Sequence, residues 1–254
     1  AAADRARMTF SNVEAINLYR AALEQIRRAA KTELSAIEQR DRAAGLNEKL
    51  ADAFAQIGRQ DEARASLRDM EDLLAPQDRI GRSRLHRKMG TSFVAERKPA
   101  DAVQAFDRAD LALAFTPEDD DAEARHEWIE TQLERGWANY WLGRAREITA
   151  DAKRLGPLVD RHGSAAQRAN FLRNLVLAAF RTDRYLVSDQ TLAHARASVE
   201  AAAEARRPMI LAHAEFALGF CHMWRDELPA ALSGLEQALR LAERIGDAER
   251  IVLC

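Results

Sequence analysis

The chain has 254 residues, 38 basic against 40 acidic side chains, a net charge of −2 and a hydrophobic content of 47%. That apolar content excludes a disordered chain, and the even mixing of both charge signs excludes the basic stripe expected of a nucleic-acid binder. Its 51 Ala, 28 Leu and 33 Arg are strong helix formers set against 11 Gly and 6 Pro, which excludes a β-sandwich or doubly wound sheet and predicts an all-α chain.

In chain order, Ala1–Phe10 reads as part of a first helix, and Ala1–Met8 lacks the apolar core of a signal peptide. Beyond it, apolar residues recur at helical spacing between short breaks. Tight breaks fall at Gly58-Arg-Gln-Asp, Lys98-Pro-Ala-Asp, Gly143-Arg-Ala-Arg, Thr182-Asp-Arg-Tyr and Arg225-Asp-Glu-Leu. Longer ones lie near Pro76–Gly81, Thr116–Asp121, Gly156–Gly163 and Arg206–Pro208. At Thr116–Asp121, Thr116 is expected to cap a helix with Pro117 in its first turn and the acids after it on the N-terminal dipole. The breaks divide the chain into helical pairs at approximately 1–40, 44–76, 83–115, 122–160, 166–205 and 209–245, stacked as one solenoid over 1–254. Gly246–Cys254 opens a further helix, with Ile251, Val252 and Leu253 where a terminal repeat would carry a polar cap. The sequence therefore reads as part of a longer array whose exposed ends predict self-association.

The pairs share a register. In the second helix of a pair, a small residue is followed by apolar or small residues four and then three positions on. Ala15, Tyr19 and Ala22 follow this step, as do Ala63, Leu67 and Met70; Ala102, Phe106 and Ala109; and Ala231, Leu235 and Ala238. Such steps keep one helix face in contact with a neighbour. In the preceding helix, Met89-Gly90 and Phe93 match Leu50-Ala51 and Phe54, and Leu218-Gly219 and His222. From each Gly or Ala to the small residue of the second helix is twelve positions: 51 to 63, 90 to 102, 219 to 231.

This register resembles the tetratricopeptide repeat, most clearly at 44–74, 83–113 and 212–242. Two intermediate units are degenerate. Arg135-Gly136-Trp137 keeps the first helix of one, but Ile148 stands where a small residue belongs; Phe171–Arg181 and Leu186–Ala205 form the other by spacing alone. The Ala/Leu/Arg-rich style of Gly58–Ala63, Glu134–Trp137 and Leu239–Asp247 is similar to the repeat regions of bacterial MalT-like regulators and of signalling ATPases linked to nucleotide cyclases. The resemblance implies a right-handed α-solenoid with the first helix of each pair lining a concave groove. Groove-facing positions are then Glu48, Asp52 and Ala55; Arg84, Arg87 and Thr91; Glu130, Leu133, Trp137 and Tyr140; Asn170, Arg173 and Phe180; and His213, Phe216, Phe220 and Met223. Trp128, Trp137, Tyr140 and Trp141 read either as packing or as an exposed recognition surface, and Phe216 and Phe220 either as groove anchors or as packing between helices.

Motifs that carry chemistry are missing. No phosphate loop, dinucleotide fingerprint or nucleophile elbow occurs, and the histidines at 86, 126, 162, 194, 213 and 222 form no i, i+4 pair. Glu118–Asp121 lacks the spacing of a calcium loop. Cys221 and Cys254 make no CxxC motif, which favours the reducing cytoplasm, and no stretch approaches the ~18 apolar residues of a membrane span. The expectation is a non-catalytic module without metal or cofactor that binds a peptide or partner protein in its groove, and neither nucleic acid nor membrane. The alternative is a small-molecule sensor regulating a fused ATPase, cyclase or DNA-binding domain.

Overall fold

The computed structural model describes residues 2–9, 11–29, 35–116 and 119–254. Among them it holds thirteen helices and no strand, and none of these helices is long and apolar enough to cross a membrane. The chain divides into two compact units, Ala1–Ala114 and Phe115–Cys254. The first contains α1 (Ala2–Met8), α2 (Asn12–Ala29), α3 (Ala36–Gln56), α4 (Gln60–Glu71), α5 (Arg79–Ala95) and α6 (Pro99–Leu113). The second contains α7 (Ala122–Trp141), α8 (Ala145–His162), α9 (Ala165–Thr182), α10 (Asp189–Ala205), α11 (Pro208–Trp224), α12 (Leu228–Ile245) and α13 (Ala248–Leu253). Within each unit every helix packs on the next, and α9 also packs on α7 and α11.

One turn recurs. Beyond the C-caps of α3, α5, α7 and α11, the residues Gly58, Arg97, Gly143 and Asp226 adopt left-handed backbone conformations with φ between 59° and 79°. After α3, Gly58 N–H donates to the carbonyl of Ala55 and Arg59 N–H to that of Phe54; after α11, Asp226 donates to Met223 and Glu227 to His222. These bonds satisfy carbonyls that the last helical turn leaves open, and the next helix begins two residues later.

Several boundaries differ from the sequence expectation. α3 begins at Ala36, inside the span assigned to the first pair, because Ser35 and Glu38 form a capping box. α7 is capped by Asp121, whose carboxylate accepts from Glu123 N and Ala124 N, and not by Thr116. The proposed Pro117 and Glu118 contributions lie outside the described residues. α8 runs through Gly156 and Pro157 to His162. Proline fits helical φ, and burial of Leu155 and Val159 on either side offsets the hydrogen bond it forgoes. α10 starts only at Asp189, capped by Ser188, since Arg184 and Tyr185 both take positive φ.

The register of small residues is where helices meet most closely. Ala51, Ala63, Ala102, Ala109, Ala231 and Ala238 are all buried. A Cβ added to Gly90 would sit 2.6 Å from the ring of Phe106, and one on Gly219 would sit 2.9 Å from the backbone nitrogen of Leu235. Both contacts join consecutive helices, α5 to α6 and α11 to α12. Around them Tyr19, Phe54, Leu67, Leu85 and Phe106 fill the first unit, and Ile129, Leu133, Ile148, Leu155 and Ile245 the second. Each such side chain contributes roughly 1.5–3 kcal/mol of burial.

Candidate binding face

In the first unit two of the expected groove residues, Glu48 and Asp52, lie in an ion-pair cluster. Lys88 of α5 bridges Glu48, at 3.0 Å, and Asp52, both on α3; Arg7 of α1 reaches Asp52 at 3.2 Å. Burial works against ionisation of Asp52, but the Lys88 ammonium and the Arg7 guanidinium outweigh it and hold the carboxyl below its usual range. The two acidic groove positions, Glu48 and Asp52, are thus paired with cations of the same unit. Ala55, Arg84 and Arg87 are partly exposed, and Thr91 is exposed with its hydroxyl donating to the carbonyl of Arg87.

The second unit assembles an aromatic run. Trp137 stacks on Tyr140 at 5.1 Å, and Trp141 meets both rings edge-on. The Tyr140 and Tyr185 hydroxyls are 2.8 Å apart, and Arg181 covers the Tyr140 ring at 4.1 Å. Tyr185 stacks on Phe180 and on Trp224, and Phe220 joins Phe180, Trp224 and Phe216. The run therefore links α7, α9, the turn after α9, and α11. It comes together because α7 and α11 carry their rings at steps of three and four, which keeps them on one face of each helix.

Not every expected member reaches solvent. Leu133, Tyr140 and Phe180, expected in the groove, are buried at 1%, 7% and 3%. α9 packs on both α7 and α11 closely enough that Tyr140 and Phe180 become the floor under Trp137, Tyr185 and Phe220. Trp128 is also buried, beside Phe115 and under Arg154, which makes it packing. Trp141 and Met223 are each 38% exposed and Trp224 48%. Trp224 and Tyr185 were missed. Trp224 was legible four residues past Phe220, whereas Tyr185 sits in a turn that helical spacing does not reach.

A polar end adjoins Phe216. Arg173 Nη1 lies 3.0 Å from His213 Nδ1, and His213 Nε2 lies 3.2 Å from Asp247, the N-cap of α13. Arginine can only donate, so Nδ1 accepts and the Nε2 proton points at Asp247. Burial and the nearby Arg250 push His213 down to about 4, so the ring is neutral at pH 7. Burial likewise lowers Arg173 to about 10, which leaves it charged. Arg250 covers the Phe216 ring at 4.7 Å and connects the polar end to the aromatic run. Glu130 and Asn170 stand partly exposed on α7 and α9.

Cys221 is fully buried and burial pushes its thiol up to about 12, so it stays protonated. Among the described residues no cluster of three His, Cys, Asp or Glu side chains could hold a metal ion.

No family model matches the chain, and no curated protein matches its sequence. Among solved structures it is similar to the crystal structure of BtubC (BKLC) from P. vanneervenii, with a TM-score of 0.62, 14% identity and 89% of each chain covered. At that identity the likeness concerns the fold: an all-helical chain whose neighbour is helical-repeat-like.

Proposed function

We propose that the chain is a right-handed solenoid of tetratricopeptide type whose second unit binds a peptide or protein segment on the aromatic run, without covalent chemistry. The observation that carries this reading is the exposure of Trp141, Met223 and Trp224 at the ends of two first helices, on a floor of rings already packed together. Exposed aromatic and Met side chains with rigid support are the types that dominate binding energy at interfaces. The recurring turn and the close-contact alanines support the repeat assignment.

Peptides selected from a displayed random library against the whole chain provide the test. Trp224→Ser is expected to weaken a selected peptide by about thirtyfold, the scale of a central anchor, with an unchanged far-UV spectrum. Leu232→Ser, on α12, should leave binding intact. Selected peptides that bind Trp224→Ser and Trp141→Ser as well as the parent would refute the assignment.

A further inference from the structure

The turn between α9 and α10 departs from its counterparts. Three residues join α3 to α4, α5 to α6, α7 to α8 and α11 to α12, whereas six, 183–188, lie between α9 and α10. Arg184, at φ 51°, takes the left-handed position that Gly58, Arg97, Gly143 and Asp226 take in the other four. The next helix does not follow at once. Tyr185 adopts a second left-handed conformation, φ 64°, and Leu186, Val187 and Ser188 come before α10.

Two consecutive residues with a Cβ at positive φ are sterically strained. Glycine or asparagine would adopt the Tyr185 conformation at less cost, so what the ring reaches accounts for a tyrosine there. The ring stacks on Phe180 at 5.4 Å and on Trp224 at 4.8 Å, and its hydroxyl meets that of Tyr140 at 2.8 Å. The far side of the turn is fastened as well. Val187 is buried and its carbonyl accepts from Arg225 Nη1 at 3.1 Å, while Asp189 accepts from the same atom at 2.9 Å.

Trp224 is the side chain that this arrangement supports. It is the last residue of α11 and half-exposed, and among the described residues its ring contacts are Phe220, one turn back on the same helix, and Tyr185. Exposed side chains change rotamer within nanoseconds, and freezing one on binding costs affinity. Because Tyr185 comes from a different element, its stacking fixes the Trp224 ring before any ligand arrives.

We propose that the long α9–α10 turn preorganises the aromatic face, with Tyr185 as a positioning residue that holds Trp224 in its binding orientation. The binding half of this statement rests on the function proposed above. The probe is the whole chain labelled with 5-fluorotryptophan, its four ¹⁹F lines assigned by replacing each tryptophan in turn with phenylalanine. In Tyr185→Leu the Trp224 line should move toward its position in the urea-unfolded chain, while the line of Trp128, packed beside Phe115, stays in place. Tyr185→Phe keeps the ring and should leave both lines unmoved. A peptide selected against the parent should bind Tyr185→Leu about tenfold more weakly, as follows if Trp224 then spends about a tenth of its time in the binding orientation, and Tyr185→Phe within about twofold. An unmoved Trp224 line in Tyr185→Leu overturns the proposal. So does a Trp128 line that moves with it, since Tyr185 would then support the unit as a whole, and so does undiminished peptide binding once the Trp224 line has moved. If Trp224→Ser leaves peptide binding intact, the aromatic-face reading fails, and the ¹⁹F lines of the free chain still decide whether Tyr185 holds Trp224.

Discussion

Replacing Gly219 by alanine tests the close approach of α11 and α12 directly. The added methyl carbon would lie 2.9 Å from Leu235 N, 3.0 Å from Leu235 Cγ and 3.1 Å from Ala231 O. Two of those atoms belong to the α12 backbone, so no rotamer change relieves them and the helices must separate by a few tenths of an ångström. Overpacking of this kind costs about 1–3 kcal/mol. Alanine returns about 1 kcal/mol of helix propensity, which leaves a net loss on the order of 1 kcal/mol. Gly45 is the control: an added Cβ there meets nothing within 4 Å, so Gly45→Ala should stabilise by roughly 0.5–1 kcal/mol. All four tryptophans (128, 137, 141 and 224) lie in the second unit, so their fluorescence follows the unit that holds Gly219. Urea unfolding read this way should shift by about 0.5 M toward lower denaturant for Gly219→Ala, taking about 2 kcal/mol per molar for a unit of this size. Gly45→Ala, read by circular dichroism, should shift the other way. An unchanged or raised midpoint for Gly219→Ala would falsify the packing described for α11 and α12.

Other expectations follow from the charge networks. His213 is held near 4 when folded, below its ordinary value of 6.5, so the unfolded chain takes up a proton that the folded chain refuses. Stability should therefore fall as pH drops from about 6.5 toward 4, by at most about 1.4 kcal/mol per pH unit from this group. His86 and His194 are lowered too, so the readout is the comparison with His213→Gln, whose tryptophan-monitored slope should be shallower. An identical slope would show that His213 is not the group responsible. Lys88→Ala leaves Asp52 with Arg7 as its recorded ion-pair partner and should cost about 2 kcal/mol in thermal unfolding of the first unit, much of it recovered by adding Asp52→Asn. Failure of the second substitution to rescue would mean that Lys88 acts through packing. Tyr140→Phe removes the hydroxyl contact to Tyr185 and should cost about 1 kcal/mol with little change in far-UV ellipticity.

Helix content and the places where helices touch were legible because both rest on local periodicity. Ala63, Ala102 and Ala231 could be picked out by their distance from a Gly or Ala in the preceding helix, and all three are buried. The five tight breaks were also readable, although only Gly58 and Gly143 supply glycine at the left-handed position; Arg97 and Asp226 adopt it under the pull of the same two hydrogen bonds. Features decided between helices were less visible. Helical spacing placed Trp137 and Tyr140 on one face but could not say that Tyr185, from a turn 45 positions further on, would cover Tyr140 and make it floor instead of surface. The capping boxes at Ser35–Glu38 and Ser164–Gln167 were present in the sequence and fix the starts of α3 and α9. Charge pairing of Asp52 with Lys88 depends on the spacing of two helices, and no one-dimensional pattern encodes that.

The chain of contacts from Arg173 through His213 to Asp247 has a spectroscopic consequence. Because an arginine occupies Nδ1, the imidazole is fixed as the Nε2–H tautomer. The acceptor of that proton also caps α13 by accepting from Arg250 N–H. Fraying of α13 that displaces Asp247 would therefore also release the ring proton of His213. A ¹⁵N-resolved His213 side-chain signal would respond to displacement of Asp247 at the start of α13, with no probe attached to the helix itself.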